Sequence, residues 1–175
     1  MHTEKTVKGE TLYDGKILKL NRDEVVLENG EKAVREVVRH TGGAGVLAID
    51  DEENVYLVRQ FRYPYGEEML EIPAGKLSKG EDPLECAKRE LAEETGMMAS
   101  KWEFLGAFRP SPGYTDEKIY IYIARDLKEG EQRLDEDEFL DVTKCDLFRA
   151  VKMIERGEIT DAKTVIAIYK YLIDR

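Results

Sequence analysis

The sequence predicts an α/β fold in which a mixed β-sheet lies between helices, with a short antiparallel β segment in front of it. Three observations support this prediction. Apolar runs of strand length fill much of the chain, one strongly helical stretch interrupts them, and two amphipathic helical stretches follow them. We expect an N-terminal β segment over residues 1–41 and a main domain over residues 42–175.

The composition indicates one acidic domain with an accessory segment. The chain has 175 residues, a formal net charge of −10 and an isoelectric point near 4.9. Nucleic-acid backbones and anionic membranes bind clustered Lys and Arg, so neither partner is expected. The two cysteines, Cys86 and Cys145, and the lack of a recognisable signal peptide or long apolar run predict a reduced, cytoplasmic protein.

The N-terminal segment has the pattern of an antiparallel sheet. Residues 7–13 and 17–20 alternate apolar and polar side chains, with a turn signal at Asp14-Gly15 between them. Asn29-Gly30 lies between two further alternating runs and predicts a hairpin. Because so small a sheet needs another surface to cover it, we expect the segment to pack on the main domain or on a second subunit.

Five apolar runs predict the strands of the main domain. Two of them are nearly continuous and are joined by the polar turn DDEEN, which is typical of strands buried on both faces, and a later one alternates as IYIYIA. The predicted strands are residues 44–49, 55–58, 69–72, 102–108 and 118–124.

Two helices are predicted to close the chain. The first is expected from near Thr143 to Glu155 or Arg156, ending at Gly157, and the second to be capped by Asp161. The residues of the second helix that are expected to face inward are Val165, Ile168, Tyr169 and Leu172.

The stretch between the third and fourth predicted strands carries strong local signals for a helix. Asp82 is a suitable N-cap, Pro83 suits the first helical position, and Gly96 can end the helix in a left-handed conformation. Gly75 to Gly80, in front of the helix, forms a loop in which the backbone can approach a ligand closely.

Three carboxylates share one side of this helix. Glu90, Glu93 and Glu94 stand at positions i, i+3 and i+4, where like charges repel. A hard divalent cation such as Mg²⁺ would relieve this repulsion, because it prefers oxygen ligands and uses one or two protein carboxylates. The alternative is an acidic helix face exposed to solvent.

The stretch resembles the Nudix box, G-x5-E-x7-R-E-U-x-E-E-x-G-U with U apolar, at every fixed position. The resemblance implies an α/β/α sandwich with a mixed sheet and hydrolysis of a pyrophosphate bond with Mg²⁺, or Mn²⁺, as cofactor. It implies metal ligands at Glu90, Glu94 and the Ala74 carbonyl, a metal-binding or catalytic role for Glu93, and an orienting role for Arg89. The matching residues are Gly75, Glu81, Arg89, Glu90, Leu91, Glu93, Glu94, Gly96 and Met97.

A second motif follows the box. Ser111-Pro112-Gly113 has the composition of a rigid turn, and a plain connection between strands is one interpretation. Its position resembles the mark of the ADP-ribose pyrophosphatase subgroup of the Nudix family. That resemblance implies that Pro112 and Gly113 take part in substrate binding and that Glu117 reaches the ligand.

The acidic run Asp135-Glu136-Asp137-Glu138 has two interpretations. Such runs are usually solvated loops. In the resembling subgroup an acidic loop closes over the phosphates, which implies Glu136 and Glu138 as catalytic candidates. Glu93 and Glu138 compete for the role of general base, and Glu138 is slightly favoured.

Three arginines are candidates for phosphate binding. Arg35, Arg59 and Arg62 lie in strand-rich segments, and the planar fork of a guanidinium suits bidentate contact with phosphate. They could equally be ordinary charges at strand edges. The resemblance to the subgroup implies that Arg35 and Arg62 help to bind substrate.

The resemblance as a whole implies Mg²⁺-dependent cleavage of ADP-ribose, a nucleoside diphosphate sugar, to AMP and ribose 5-phosphate. It also implies a homodimer with exchanged N-terminal strands, in which residues 1–41 help to form the partner's adenine site. Two alternatives remain open: a hydrolase of another substrate, such as GDP-mannose or an oxidised nucleotide, and a sensor that binds ADP-ribose without cleaving it. The intact box favours an enzyme.

Overall fold

The computed structural model describes residues 2–136 and 138–174, in which there are ten strands and three helices. They form two compact units. The first consists of the chain up to Gly42 together with Arg109–Lys118, and the second consists of Gly43–Phe108 together with the chain from Ile119 onwards.

The first unit is a three-stranded antiparallel sheet. Its strands are β1 (Lys5–Asp14), β2 (Leu18–Val26) and β3 (Lys32–His40), in the order β1-β2-β3. The turn between β2 and β3 contains Gly30 at a φ of 84°, a conformation that glycine adopts without strain. The predicted hairpin is therefore confirmed. Every residue of β1 is exposed.

The segment Arg109–Lys118 is attached to β3 within the first unit. Val38 donates its N–H to the Tyr114 carbonyl at 2.8 Å, and Val38 accepts from the Asp116 N–H at 3.2 Å. Arg39 lies between two carboxylates, 3.1 Å from Asp116 and 3.5 Å from Asp23. Backbone pairing and charge together hold the segment on this sheet.

The second unit contains a mixed seven-stranded sheet. The strand order is β10-β5-β4-β9-β8, with β6 paired to β5 and β7 paired to β4. The β4–β9 pair is parallel and the other pairs are antiparallel. The strands are β4 (Gly43–Ile49), β5 (Asn54–Arg62), β6 (Glu67–Glu71), β7 (Ala74–Lys76), β8 (Met97–Phe108), β9 (Ile119–Glu129) and β10 (Leu140–Asp146).

Each of the three helices begins after an aspartate. The side chains of Asp82, Asp146 and Asp161 accept hydrogen bonds from backbone N–H groups of the first turn, which otherwise have no partner within the helix. The helices are α1 (Pro83–Thr95), α2 (Leu147–Glu155) and α3 (Ala162–Ile173).

The sheet of the second unit has a hydrophobic core on each face. Along β4, Val46 belongs to the cluster formed with α1, and the next residue, Leu47, belongs to the cluster formed with α2 and α3. Successive side chains of a strand point to opposite faces, and burying each such side chain contributes roughly 1.5–3 kcal/mol. The predicted arrangement of a mixed sheet between helices is confirmed.

The structure corrects two sequence predictions near the end of the chain. The first closing helix begins at Leu147, because Asp146 caps it, and Thr143 lies in strand β10. In α3, Ile168 is buried and Val165 and Leu172 pack against the core, but Tyr169 is exposed. The buried face is set by Thr164, Ala167, Ile168 and Tyr171, from which Tyr169 is rotated away.

Candidate active site

Helix α1 has the bounds that its capping residues predict. Asp82 Oδ1 accepts from the N–H groups of Leu84 at 2.9 Å and Glu85 at 3.3 Å. At the other end, Gly96 has a φ of 71° and donates its N–H to the Ala92 carbonyl at 2.9 Å. The carboxylates of α1 therefore lie on a helix that is fixed at both ends.

Two of these carboxylates are buried. Glu90 is 8% exposed and Glu94 is 2% exposed. Glu94 Oε2 accepts from the Ala74 N–H at 2.9 Å, and Glu90 Oε1 accepts from Arg89 Nη1 at 2.6 Å. Carboxylates are almost never fully buried unless they are paired or bind a metal, and within the described residues Glu94 has no ion-pair partner. The burial of Glu94 therefore makes this a candidate functional site.

Strand β7 brings backbone against these carboxylates. A Cβ atom added to Gly75 would lie 2.0 Å from Glu90 Oε1 and 2.3 Å from Glu90 Oε2. β7 cannot move aside easily, because Ala44 and Gly45 of β4 pair with Gly75 and Ala74. Any residue larger than glycine at position 75 would therefore displace the Glu90 carboxylate.

The environment raises the pKa values of both buried carboxyls. Burial raises the pKa of Glu94 to about 8; the Ala74 N–H opposes this effect, the charges of Glu90 and Glu138 add to it, and Lys163 opposes it. Burial also raises the pKa of Glu90, against the opposing charge of Arg89. A cation bound between them would lower both pKa values, because it favours the charged form of each carboxyl.

Arg89 contacts carboxylates that precede it and carboxylates that follow it in the chain. Its Nε donates to Glu81 Oε1 at 3.0 Å, and its Nη1 donates to Glu90 at 2.6 Å and to Glu93 Oε2 at 2.9 Å. Glu81 in turn accepts from the Ser78 N–H at 2.8 Å, which ties the preceding loop to the helix. Arg89 thus contacts three carboxylates, and its orienting role stays a prediction.

The donor set fits a hard divalent cation bound by two carboxylates. Among the residues that the structure describes, no three Asp, Glu, His or Cys side chains converge on one point. Arg89 Nη1 donates to both Glu90 and Glu93, so this contact does not distinguish them. The side chain of Glu93 is 38% exposed, whereas Glu90 and Glu94 are buried and are the candidate pair for a metal. Two carboxylates, completed by waters and substrate oxygens, are the usual protein contribution to Mg²⁺.

The acidic loop contributes one carboxylate to the electrostatics of this pair. Glu138 is half-buried, its N–H donates to the Asp135 carbonyl at 3.0 Å, and its charge acts on both Glu90 and Glu94. Glu136 is exposed. Asp137 lies outside the described residues.

Two protein-family models match the sequence of this chain. The NUDIX domain model matches residues 39–167, and the model of the nucleoside diphosphate sugar hydrolase N-terminal domain matches residues 4–38. The chain belongs to the Nudix family. The resemblance inferred from the Nudix box is thus confirmed.

Two similar proteins align over nearly the whole chain. A "Methanol dehydrogenase activator" of Bacillus methanolicus is 47% identical, and an "ADP-ribose pyrophosphatase" of Bacillus subtilis is 45% identical. Each alignment covers 94% of this chain and 90% of the relative. The solved structure of an "ADP compounds hydrolase" matches with a TM-score of 0.85 at 25% identity, over 97% of this chain and 92% of the other.

The two arginines on β5 have different surroundings in this Nudix domain. Arg62 Nε and Nη2 donate to the two oxygens of Glu71 at 2.6 and 2.8 Å. Arg59 stands opposite Asp141 of β10, and no hydrogen bond of its side chain is found in the described part of the chain. Their odd spacing places them on opposite faces of the sheet, so the structure does not bring Arg59 and Arg62 together.

The remaining substrate candidates lie in the first unit. Arg35 binds Glu4 in bidentate fashion, at 2.9 and 2.5 Å. Pro112 and Gly113 are exposed in the turn after Ser111, and Glu117 Oε1 lies 3.5 Å from His40 Nδ1. No finding on this chain tests their role.

A buried ionic network beside the Nudix box was missed by sequence reasoning. Glu71, whose side chain is 3% exposed, contacts Arg62 and also accepts from Lys163 Nζ. Burial alone would raise the pKa of Glu71, but Arg62 and Lys163 outweigh it and keep the pKa below its usual value. The available signal was a glutamate between two apolar residues, Leu70 and Ile72.

Proposed function

We propose that this Nudix pyrophosphohydrolase cleaves the pyrophosphate bond of ADP-ribose to AMP and ribose 5-phosphate with Mg²⁺, for which Mn²⁺ can substitute. The observation that carries the proposal is the pair of buried carboxylates, Glu90 and Glu94, held against the backbone of β7. The substrate is supported by the 45% identity to the ADP-ribose pyrophosphatase of Bacillus subtilis.

Glu90 and Glu94, with the Ala74 carbonyl, would hold the cation. Mg²⁺ bound there would neutralise negative charge on the pyrophosphate and would lower the pKa of a nearby water. Arg62 adds a positive charge for the phosphates, because its Nη1 is not used by Glu71. The water oxygen attacks phosphorus, the bond to the bridging oxygen breaks, and a carboxylate accepts the proton of the water.

Glu138 is the general base that we favour. Glu93 is bound to Arg89 at 2.9 Å, so its carboxylate is already engaged by a cation. Glu138 is half-buried and its charge acts on Glu90 and Glu94, whereas Glu136 is exposed to solvent. A half-buried carboxylate near the buried pair is better suited to receive a proton there.

The assignment of the other candidates to substrate binding remains a proposal. Arg35 presents a guanidinium whose bidentate partner, Glu4, is a partly exposed surface carboxylate that a phosphate could replace. Pro112 and Gly113 form an exposed turn, and Glu117 is half-buried beside His40. Arg59 has the weakest support, because it lies on the other face of the sheet from Arg62.

A substrate panel tests the proposed function. The purified protein is incubated with ADP-ribose, GDP-mannose and an oxidised nucleoside triphosphate, each with Mg²⁺ and with a chelator, and kcat/KM is measured for each. We expect the highest kcat/KM for ADP-ribose, and turnover only with metal. A higher value for GDP-mannose would identify a different nucleoside diphosphate sugar as substrate. Binding of ADP-ribose without any turnover would support the sensor alternative.

We also propose a homodimer in which the N-terminal segment, residues 1–41, exchanges strands with a second copy. Support comes from β1, which is exposed along its whole length and carries Val7, Leu12 and Tyr13 outward. β1 is also the edge strand of its sheet, and an exposed strand edge with exposed apolar side chains can pair with a second chain. Sedimentation at micromolar concentration should give the mass of a dimer; a monomer would contradict the proposal.

For localisation we propose the cytoplasm. Both Cys86 and Cys145 are buried and unpaired, as is usual in a reducing compartment. Within the described ranges, no helix has the length and apolar character needed to span a bilayer.

A further inference from the structure

A buried carboxylate beside the box is held by two cations. Arg62 donates from Nε to Glu71 Oε1 at 2.6 Å and from Nη2 to Glu71 Oε2 at 2.8 Å. Lys163 Nζ donates to the same Oε2 atom. The side chains of Glu71 and Lys163 are 3% and 12% exposed, whereas that of Arg62 is 35% exposed. Lys163 is therefore the inner member of the network and Arg62 the outer one.

Glu71 fixes one edge of the Arg62 guanidinium. Two parallel hydrogen bonds from Nε and Nη2 define both the plane and the direction of the planar group. The remaining nitrogen, Nη1, has no hydrogen-bond partner within residues 2–136 and 138–174. Arg62 therefore presents a preoriented, partly exposed edge that is free to bind an anion.

The N-terminus of α3 fixes Lys163 in turn. Lys163 Nζ lies 3.1 Å from Asp161 Oδ2, which also accepts from the N–H and the hydroxyl of Thr164 at 3.0 and 2.6 Å. The Thr164 hydroxyl oxygen accepts from the Ile72 N–H at 2.8 Å. The first turn of α3 is thus bonded to the residue that follows Glu71, and Lys163 cannot easily shift relative to that carboxylate.

We propose that Lys163 is a positioning residue for substrate binding: it holds the Glu71 carboxylate so that the free edge of Arg62 faces the substrate's pyrophosphate. The inference rests on the proposed function, which supplies the anion that Arg62 binds. Lys163 acts through Glu71 and Arg62 and touches no reacting atom.

Loss of the Lys163 charge should misdirect Arg62. Without Lys163, Glu71 Oε2 keeps one donor instead of two, so the carboxylate can rotate and take the guanidinium with it. Of the two cations that the described residues place on Glu71, Arg62 alone then remains, and Asp161 loses its contact with Lys163 as well. Less of the Arg62 charge is then available to the substrate, and the predicted consequence is weaker binding.

The test is Lys163→Met compared with Lys170→Met. Lys170 lies on the same helix and pairs with Asp174 at the surface, so it is the matched control. Lys163→Met should raise KM for ADP-ribose about tenfold, the cost of one charge-assisted contact, with kcat changed by less than about threefold. Lys163→Arg should restore most of the affinity, and Lys170→Met should match the wild type.

A double-mutant cycle separates positioning from a general structural role. In an Arg62→Ala background, Lys163→Met should have no further effect on KM, because its partner in substrate binding is gone. The same tenfold rise in that background, or an unchanged KM in Lys163→Met alone, would overturn the inference. If the methionine variant does not fold, Lys163→Gln takes its place, and a wild-type KM in that variant would overturn the inference equally.

Calorimetric measurement of ADP-ribose binding tests the positioning role of Lys163 separately from the proposed hydrolysis. A wild-type protein that binds ADP-ribose without cleaving it would contradict the proposed hydrolysis alone. The inference would then be supported by tenfold weaker binding to Lys163→Met and overturned by equal binding. A wild type that neither binds nor cleaves ADP-ribose would overturn both.

Discussion

Replacement of Glu94 by glutamine is expected to lower kcat for ADP-ribose by about 10³-fold or more, because it removes one of the two buried carboxylates that can hold the divalent cation. The glutamine keeps an oxygen that can accept from the Ala74 N–H, so the fold should remain intact. Glu85→Gln is the matched control, since Glu85 lies on the same helix but is exposed and pairs with Lys88. Normal turnover by Glu94→Gln would contradict the metal assignment.

Glu94→Gln should also change the pH dependence of the protein's stability. The folded-state pKa of Glu94, about 8, is above its usual value of 4.5, so the folded state binds this proton more tightly than the unfolded state does. In the metal-free protein the contribution of Glu94 to stability is therefore present below about pH 4.5 and is lost as the pH rises towards 8.

Thermal unfolding in a chelator measures this effect. The Tm of Glu94→Gln should exceed that of the wild type by a margin that grows across this pH range, and added Mg²⁺ should reduce the margin by stabilising the wild type. A margin that is constant with pH would show that Glu94 does not titrate in this range.

Gly75→Ala is expected to lower kcat by about 100-fold through displacement of Glu90. The new Cβ would lie 2.0 Å from Glu90 Oε1, and β7 is paired to β4, so the carboxylate must move. Gly80→Ala is the control: its Cβ would meet no atom within 4 Å, although a φ of 79° should cost roughly 1 kcal/mol of stability. A wild-type kcat in Gly75→Ala would show that the position of Glu90 is not critical.

The parts of the fold that could be predicted are those set by neighbouring residues. Asp82, Pro83 and Gly96 define helix α1 within one short stretch, and the turn at Asn29-Gly30 defines a hairpin in the same way. Strand β10 was missed because its pairing with β5 depends on residues far away in the chain. Local sequence could not show that residues 140–146 extend a sheet edge before the helix begins.

In the candidate site, too, the features that could be predicted are those set by neighbouring residues. The spacing of Glu90, Glu93 and Glu94 predicts three carboxylates on one side of α1, but spacing alone could not show which of them are buried. The structure buries Glu90 and Glu94 and leaves the side chain of Glu93 38% exposed. The contact between Glu71 and Lys163 joins residues separated by 92 positions, so no local pattern could indicate it.

The most direct test of the central claim is product analysis of ADP-ribose cleaved in ¹⁸O-labelled water, with the metal-stripped protein and with Mg²⁺ restored. We predict AMP and ribose 5-phosphate, with the label in the phosphate of only one product, and no products until Mg²⁺ is added. Equal amounts of product with and without metal, or no AMP at all, would contradict the claim that the Glu90–Glu94 pair binds a cation for pyrophosphate hydrolysis.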